Sequence, residues 1–203
     1  MKQGKFIVLE GVEGAGKTSQ CKRLAAALEA KGIDAVLTRE PGGVPLAERL
    51  RALILDTEYT PDALTELYMY MAARREHLNK IILPALAAGK TVICDRFTYS
   101  TVAYQGYGRG VDIEFIRALN AETVKAAKVD IALFLDVPPA VGFARKGGAD
   151  CGDRMESGGI AFFERIYDGF KAMCAAGELV AIDATVGEQA VAQSILKAVE
   201  GVL

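Results

Sequence analysis

Five short apolar runs constrain the fold of this chain more than any other feature. They are Lys5–Glu10, Ala35–Thr38, Thr91–Asp95, Ile131–Val137 and Leu179–Asp183, and their centres are apolar at consecutive positions. A strand with one face in water alternates apolar and polar residues. A run that is apolar throughout belongs to a sheet covered on both faces, as parallel sheets are. Between the runs the spacing becomes helical. Cys21, Leu24, Ala25 and Leu28 recur at i, i+3, i+4 and i+7, and Gly32 follows as a stop. Leu64, Leu67, Tyr68 and Met71 continue the pattern after Thr60-Pro61-Asp62, which reads as an N-cap with proline at the first helical position. Further helices are expected over 112–127, 160–175 and 188–199. Alternating strands and helices joined by right-handed crossovers give an α/β fold, a doubly wound five-stranded parallel sheet flanked by helices. Residues 1–203 show no internal repeat and no linker, so one domain is expected.

Composition narrows the function. Lys and Arg total 24 against 26 Asp and Glu, a formal net charge of −2, with 51% apolar residues. That excludes a disordered chain and leaves no basic excess with which to track a nucleic-acid backbone. No apolar run is long enough to span a membrane, and the first residues lack the apolar stretch of a signal peptide, so a cytoplasmic protein is expected. Cys21, Cys94, Cys151 and Cys174 are widely spaced and include no C-x-x-C pair, which favours reduced thiols over a zinc site. The one histidine, His77, reads as an exposed helix residue.

Gly11-Val12-Glu13-Gly14-Ala15-Gly16-Lys17-Thr18 follows the first strand and opens the first helix. In that setting G-x-x-x-x-G-K-[ST] is a phosphate-binding loop. Its glycines let backbone N–H groups curve round an anion, the helix N-terminus adds positive potential, and Lys17 reaches the terminal phosphates. Thr18 offers a hydroxyl to Mg²⁺. A carboxylate at a strand end should join it, and both Asp95 and Asp136 stand at one. Asp95 is preferred because Arg96 follows it and adds a cation for phosphate. Asp136, before Val137-Pro138-Pro139, is expected to cap the next helix. Neither an N-K-x-D guanine signature nor the protein-kinase motif set is present. Few general bases are at hand, which suits transfer to an acceptor that is already anionic, where charge must be shielded and two anions aligned.

Five segments reach beyond the loop: Glu10–Thr18, Thr38-Arg39-Glu40-Pro41-Gly42-Gly43, Ala72-Ala73-Arg74, Asp95-Arg96-Phe97-Thr98-Tyr99-Ser100 and Ala103-Tyr104-Gln105-Gly106. In that order they make the chain similar to bacterial thymidylate kinases, from Phe6 to about Thr185. The resemblance implies a P-loop NTPase fold with a mobile lid, and phosphorylation of dTMP to dTDP with ATP and Mg²⁺. It also implies a homodimer. On the donor side it implies that residues Gly11 to Thr18 hold ATP and that Arg145 flanks adenine. Thr18 and Asp95 would hold Mg²⁺, partly through water. On the acceptor side Glu13 would accept from the 3′-OH, and Arg39 and Arg96 would clamp the phosphate. Pro41 would follow a cis peptide. Tyr70 would stack on thymine, and Arg74, one turn along the same helix face, would bond O4. Ser100, Thr101, Tyr104 and Gln105 would line base and sugar, with Thr101 near N3 and Tyr104 against C2′.

The chain departs from its relatives in the glycine-rich lid at about 146–159. The resemblance implies that a phosphate loop with no cation in its interior, as here, takes one from the lid, yet Arg145, Lys146 and Arg154 are the only lid cations. Arg154 is expected at the transferring phosphoryl group, beside Lys17, Asp95 and Arg96 as the catalytic set. Two rival readings stay open. A nucleoside kinase would need Glu40 or Asp95 as a base, but Arg39 and Arg96 together argue for a phosphorylated acceptor. A nucleotide-driven switch or assembly ATPase would leave Tyr70, Arg74 and Tyr104 unexplained. Spare apolar positions, Phe162, Phe163, Ile166, Tyr167 and Phe170 in one helix and Leu78, Ile81 and Ile82 in another, are candidates for a partner surface.

Overall fold

The structure is a computed structural model and describes residues 4–146, 154–155 and 158–203. The apolar runs form strands β1 (Phe6–Glu10), β2 (Ala35–Arg39), β3 (Thr91–Asp95), β4 (Ile131–Asp136) and β5 (Val180–Asp183). They pair in the order β2-β3-β1-β4-β5, every pair parallel. β1 lies at the centre, with Ile7 opposite Ile93 of β3 and Ile131 of β4. Every residue of β1 and β3 is buried, which is why neither run alternates.

The helices are α1 (Lys17–Ala30), α2 (Pro45–Leu55), α3 (Ala63–His77), α4 (Leu83–Ala87), α5 (Thr98–Thr101), α6 (Ile113–Val124), α7 (Pro139–Lys146), α8 (Gly159–Ala175) and α9 (Glu188–Glu200). π-Helical turns at Leu78–Ile82 join α3 to α4, and a second set at Val102–Gly108 continues α5. The cap of α3 is Asp62, not Thr60. The Asp62 carboxylate accepts from the amides of Leu64 and Thr65, each at 2.9 Å, and a carboxylate closes those first-turn donors better than a residue two positions upstream. Asp136 does not cap α7. Tyr167 and Lys171, one turn apart on α8, donate to its two oxygens at 2.7 Å each and occupy it.

One apolar core runs from Phe6 to Val199 and fills both sides of the sheet. Phe134 of β4 stacks on Phe170 of α8 with ring centroids 5.0 Å apart. Phe162, Phe163, Ile166, Phe170, Leu78 and Ile82 all lie inside this core, so the monomer itself consumes most of the residues expected to be spare. The exposed large apolar side chains include Leu46 and Leu53 on α2, Leu64 and Tyr68 on α3, and Phe115 on α6, and α3 packs against both α2 and α6. Among the described residues no helix is long and apolar enough to cross a membrane. The loops that leave the C-terminal ends of β1, β2 and β3 converge at one edge of the sheet, the edge where open α/β sheets bind ligands.

Candidate active site

The loop from Gly11 to Gly16 carries the chain from β1 into α1. Gly14 (φ 73°) and Gly16 (φ 87°) sit in the left-handed region, which an L side chain avoids. Gly14 meets a second constraint: a Cβ there would lie 1.9 Å from the Gly142 carbonyl oxygen of α7. No side chain caps α1, so its first-turn amides suit an anion. Lys17 is folded over the loop and donates to the carbonyls of Gly11 at 3.1 Å and Val12 at 2.8 Å. Burial and the charge of Arg96 lower its pKa. The Thr18 hydroxyl donates to Asp95 Oδ2 at 2.6 Å. A hydroxyl and a carboxylate oxygen in contact are the hard donors Mg²⁺ takes, so this pair fits the expected metal and would hold it.

Beside the loop lies an open cleft. Glu13, Pro41, Tyr70, Arg74, Arg96, Ser100, Thr101, Tyr104 and Gln105 all line it, so every acceptor residue expected from the sequence is there except Arg39. The Arg39 guanidinium is turned aside onto both oxygens of Glu48, at 3.0 and 2.8 Å, and onto the Pro41 carbonyl at 2.7 Å. It lines a separate recess with Thr18 and Asp95. Arg51 stands in the cleft wall in its place and also donates to the Pro41 carbonyl, at 3.2 Å. Glu40, Leu55, Phe97 and Met155 complete the wall. The Glu40–Pro41 peptide is cis.

Arg96 is the junction between loop and cleft. It holds φ 70°, the one positive value at a non-glycine residue among those described, and such strain persists only where the surroundings fix it. Its Nη1 donates to the Gly11 carbonyl at 3.0 Å and to Ser100 Oγ at 3.2 Å, and its Nη2 to Glu13 Oε2 at 2.7 Å. The guanidinium lies over the Tyr104 ring, 5.0 Å from its centroid. The Tyr104 hydroxyl donates to the same Glu13 oxygen at 2.5 Å. Glu13 Oε1 is thereby left to accept from a ligand hydroxyl. Burial pushes the Glu13 carboxyl up, but the charges of Arg96 and Lys17 outweigh it and hold the group below the usual carboxylate range. It stays ionised and acceptor-only at neutral pH.

At the far end Arg74 is 2% exposed. Its Nε donates to Glu40 at 2.7 Å, Nη1 to Thr101 Oγ1 and Asn120 Oδ1, each at 2.9 Å, and Nη2 to the Phe97 carbonyl at 3.0 Å. One Nη2 hydrogen is left for a ligand acceptor. His77 is buried, contrary to its exposed reading. Its two ring nitrogens bridge Glu40 Oε1 at 3.0 Å and Thr38 Oγ1 at 2.7 Å, so the imidazole is spent tying β2 to α3.

Arg154 lies on the acceptor side. Its guanidinium pairs with Glu66 at 2.6 Å and donates to the Ile54 carbonyl at 2.9 Å. Glu66, 1% exposed, also accepts from Gln105 at 2.8 Å and pairs with Arg109 at 3.4 Å. Met155 follows into the cleft wall. The rest of the expected lid, 147–153 and 156–157, lies outside the described residues. Arg145 donates to the carbonyls of Ala184 at 2.8 Å and Thr185 at 3.2 Å, joining α7 to the loop after β5.

Sequence reasoning missed Arg51, Glu66 and Met155. Arg51 is invisible until α2 is recognised, because only the helix turns it toward the cleft. Glu66 stands four residues before Tyr70, on the same face of α3, and that spacing was the one available signal.

Comparison with known proteins gives a consistent result. The thymidylate kinase family model matches residues 9–195. A thymidylate kinase of Psychrobacter sp. is 51% identical over 176 residues, covering 85% of this chain and 84% of that relative. One from Solidesulfovibrio magneticus is 42% identical over 200 residues, covering 94% of this chain and 96% of that relative. The crystal structure of thymidylate kinase from Ehrlichia chaffeensis superposes with a TM-score of 0.78 at 36% identity, covering 97% of this chain and 99% of that one.

Proposed function

This chain belongs to the thymidylate kinase family and phosphorylates dTMP to dTDP with ATP, and from that premise we propose how its residues divide the work. The observation that carries the assignment is the cleft itself, with a base-reading arginine at one end and the Glu13–Arg96 pair against the phosphate loop at the other.

In the proposed arrangement dTMP enters with thymine on Tyr70 and its O4 on the remaining Arg74 hydrogen. Thr101 and Gln105 border the base. Glu13 Oε1 accepts from the 3′-OH, and Tyr104 packs against C2′. Arg96 and Arg51 face the acceptor phosphate, Ser100 supports Arg96, and Arg39 braces the Pro41 turn that shapes the wall. ATP lies along residues Gly11 to Thr18, including Val12 and Ala15, with Arg145 against adenine. Mg²⁺ on Thr18 and Asp95 would neutralise charge between the donor phosphates. Lys17 and Arg96 shield the two phosphate groups so that the acceptor oxygen lines up with the phosphoryl group, and no base is needed. Arg154 is assigned to the transferring phosphoryl group, a role in which its guanidinium exchanges Glu66 for phosphate oxygens.

Residues 1–203 then act as one kinase domain. The exposed apolar side chains of α2, α3 and α6 support the expected homodimer. The unpaired thiols of Cys21, Cys94 and Cys174 suit a reducing compartment such as the cytoplasm.

An ADP-release assay run with dTMP, dUMP, ribo-TMP and thymidine tests the reading. Turnover should be greatest with dTMP and undetectable with thymidine. A preference for thymidine would overturn the acceptor assignment. In the same assay Arg154→Ala should lower kcat by on the order of 10³ with little change in the KM for dTMP. A kcat within tenfold of wild type, with a raised KM for dTMP, would confine Arg154 to Glu66.

A further inference from the structure

Glu10 is the last residue of β1, fully buried, and no step of the transfer uses it. Its carboxylate nevertheless gathers three donors from one neighbouring segment. Oε1 accepts from the backbone amides of Phe97 at 2.8 Å and Ser100 at 3.2 Å, and Oε2 from the Ser100 hydroxyl at 2.5 Å. These groups directly follow Arg96. On its N-terminal side the Arg96 amide is bonded to the Leu9 carbonyl of β1 at 2.9 Å. On its C-terminal side Glu10 takes the next amide and the opening turn of α5. The left-handed backbone at Arg96 is therefore held from both sides by two consecutive residues of β1.

The side chains are connected as well. Ser100 Oγ gives its hydrogen to Glu10 and so turns a lone pair toward Arg96 Nη1, 3.2 Å away. Above about pH 7, where the raised Glu10 carboxyl is ionised, the group is acceptor-only and sets the direction of that hydroxyl. A glutamine in the same place would put either an N–H₂ against the two backbone amides or a second donor onto Ser100 Oγ, in competition with Arg96.

We propose that Glu10 is a positioning residue for phosphoryl transfer, fixing the backbone turn and the guanidinium of Arg96 through Phe97 and the Ser100 hydroxyl. The inference rests on the reading of Arg96 as the acceptor-phosphate cation. A misplaced guanidinium should damage alignment of the acceptor, where an error of about 1 Å costs on the order of 10²-fold, and should leave ATP binding to the phosphate loop intact.

Steady-state kinetics of Glu10→Gln, Ser100→Ala, the double variant and Arg96→Ala test this. Glu10→Gln should lower kcat and raise the KM for dTMP, each by about tenfold or more, with the KM for ATP within twofold of wild type. Ser100→Ala should act in the same direction, and the double variant should be no worse than the weaker single, because both break one relay. Losses that multiply in the double variant overturn the relay, as do wild-type kinetics in Glu10→Gln or an equal rise in the KM for ATP. Should Glu10→Gln fail to fold, Ser100→Ala alone decides, and wild-type kinetics in it overturn the proposal. If Arg96→Ala leaves the KM for dTMP unchanged, the reading of Arg96 has failed, not the relay built on it.

Discussion

Tyr104 does two jobs with two parts of one side chain. Its ring fills the space proposed for C2′ and lies under Arg96, while its hydroxyl anchors Glu13. Tyr104→Phe should keep the preference for dTMP over ribo-TMP but raise the KM for dTMP by about tenfold, since a hydrogen bond to a carboxylate contributes ~1.5–3 kcal/mol. Tyr104→Ala should lose the preference. Equal ratios of kcat/KM for the two nucleotides in wild type and Tyr104→Ala would reject the steric role. Glu10 gives a prediction of another kind. Burial pushes its carboxyl up to about 7 from an ordinary 4.5, against the lowering effect of Ser100 and Arg96. Between those values the folded protein holds a proton that the unfolded chain has released, so stability should fall as pH rises through that window, by about 3 kcal/mol at ~1.4 kcal/mol per unit. Urea midpoints at pH 5 and pH 7.5 check this: the drop seen in wild type should be absent in Glu10→Gln, and an equal drop in both would reject it.

At the scale of elements the phosphate loop is set by a helix far from it in sequence. Gly14 approaches Gly142 of α7, and a Cβ on Gly142 would in turn lie 2.3 Å from the Glu13 carbonyl oxygen. Gly142→Ala improves intrinsic helix propensity by ~1 kcal/mol, yet it should displace the loop and lower kcat/KM for ATP by at least tenfold. Unchanged kinetics together with a higher melting temperature would show that the loop does not need the contact. Elements differed in how well the sequence disclosed them. The five strands were legible because burial on both faces removes polar residues from their centres. α7 was expected only as the helix after Asp136, without bounds, because Pro138-Pro139 reads as a break although proline is at home in a first helical turn. The segment after Thr98 was hidden by Gly106 and Gly108, which weaken a helical pattern even where π-helical turns form. The residues expected on the acceptor side that line the cleft, all but Arg39, were legible through spaced motifs. Arg51 was not, because its helix was not, and the pairing of Arg154 with Glu66 depends on tertiary packing that no spacing encodes.

For the whole molecule, periodicity reports that a face is apolar but not what covers it. Phe162 and Phe170 turned out to be the monomer's own core, while the outward apolar residues include Leu46, Leu53, Leu64, Tyr68 and Phe115 on α2, α3 and α6, of which α3 packs against the other two. A dimer through that face should dissociate on Tyr68→Glu or Phe115→Glu, seen as a halved mass by light scattering after gel filtration. A dimer mass in both variants would place the interface elsewhere. That face lies on α3, the helix that also supplies Tyr70, Arg74 and His77. His77 is the only histidine in the chain, sealed between Thr38 and the Glu40 carboxylate that also holds Arg74. The molecule thus carries a built-in spectroscopic reporter. A proton NMR spectrum contains a single imidazole, and acceptor nucleotide should shift its resonances without any label, while donor nucleotide alone should leave them in place.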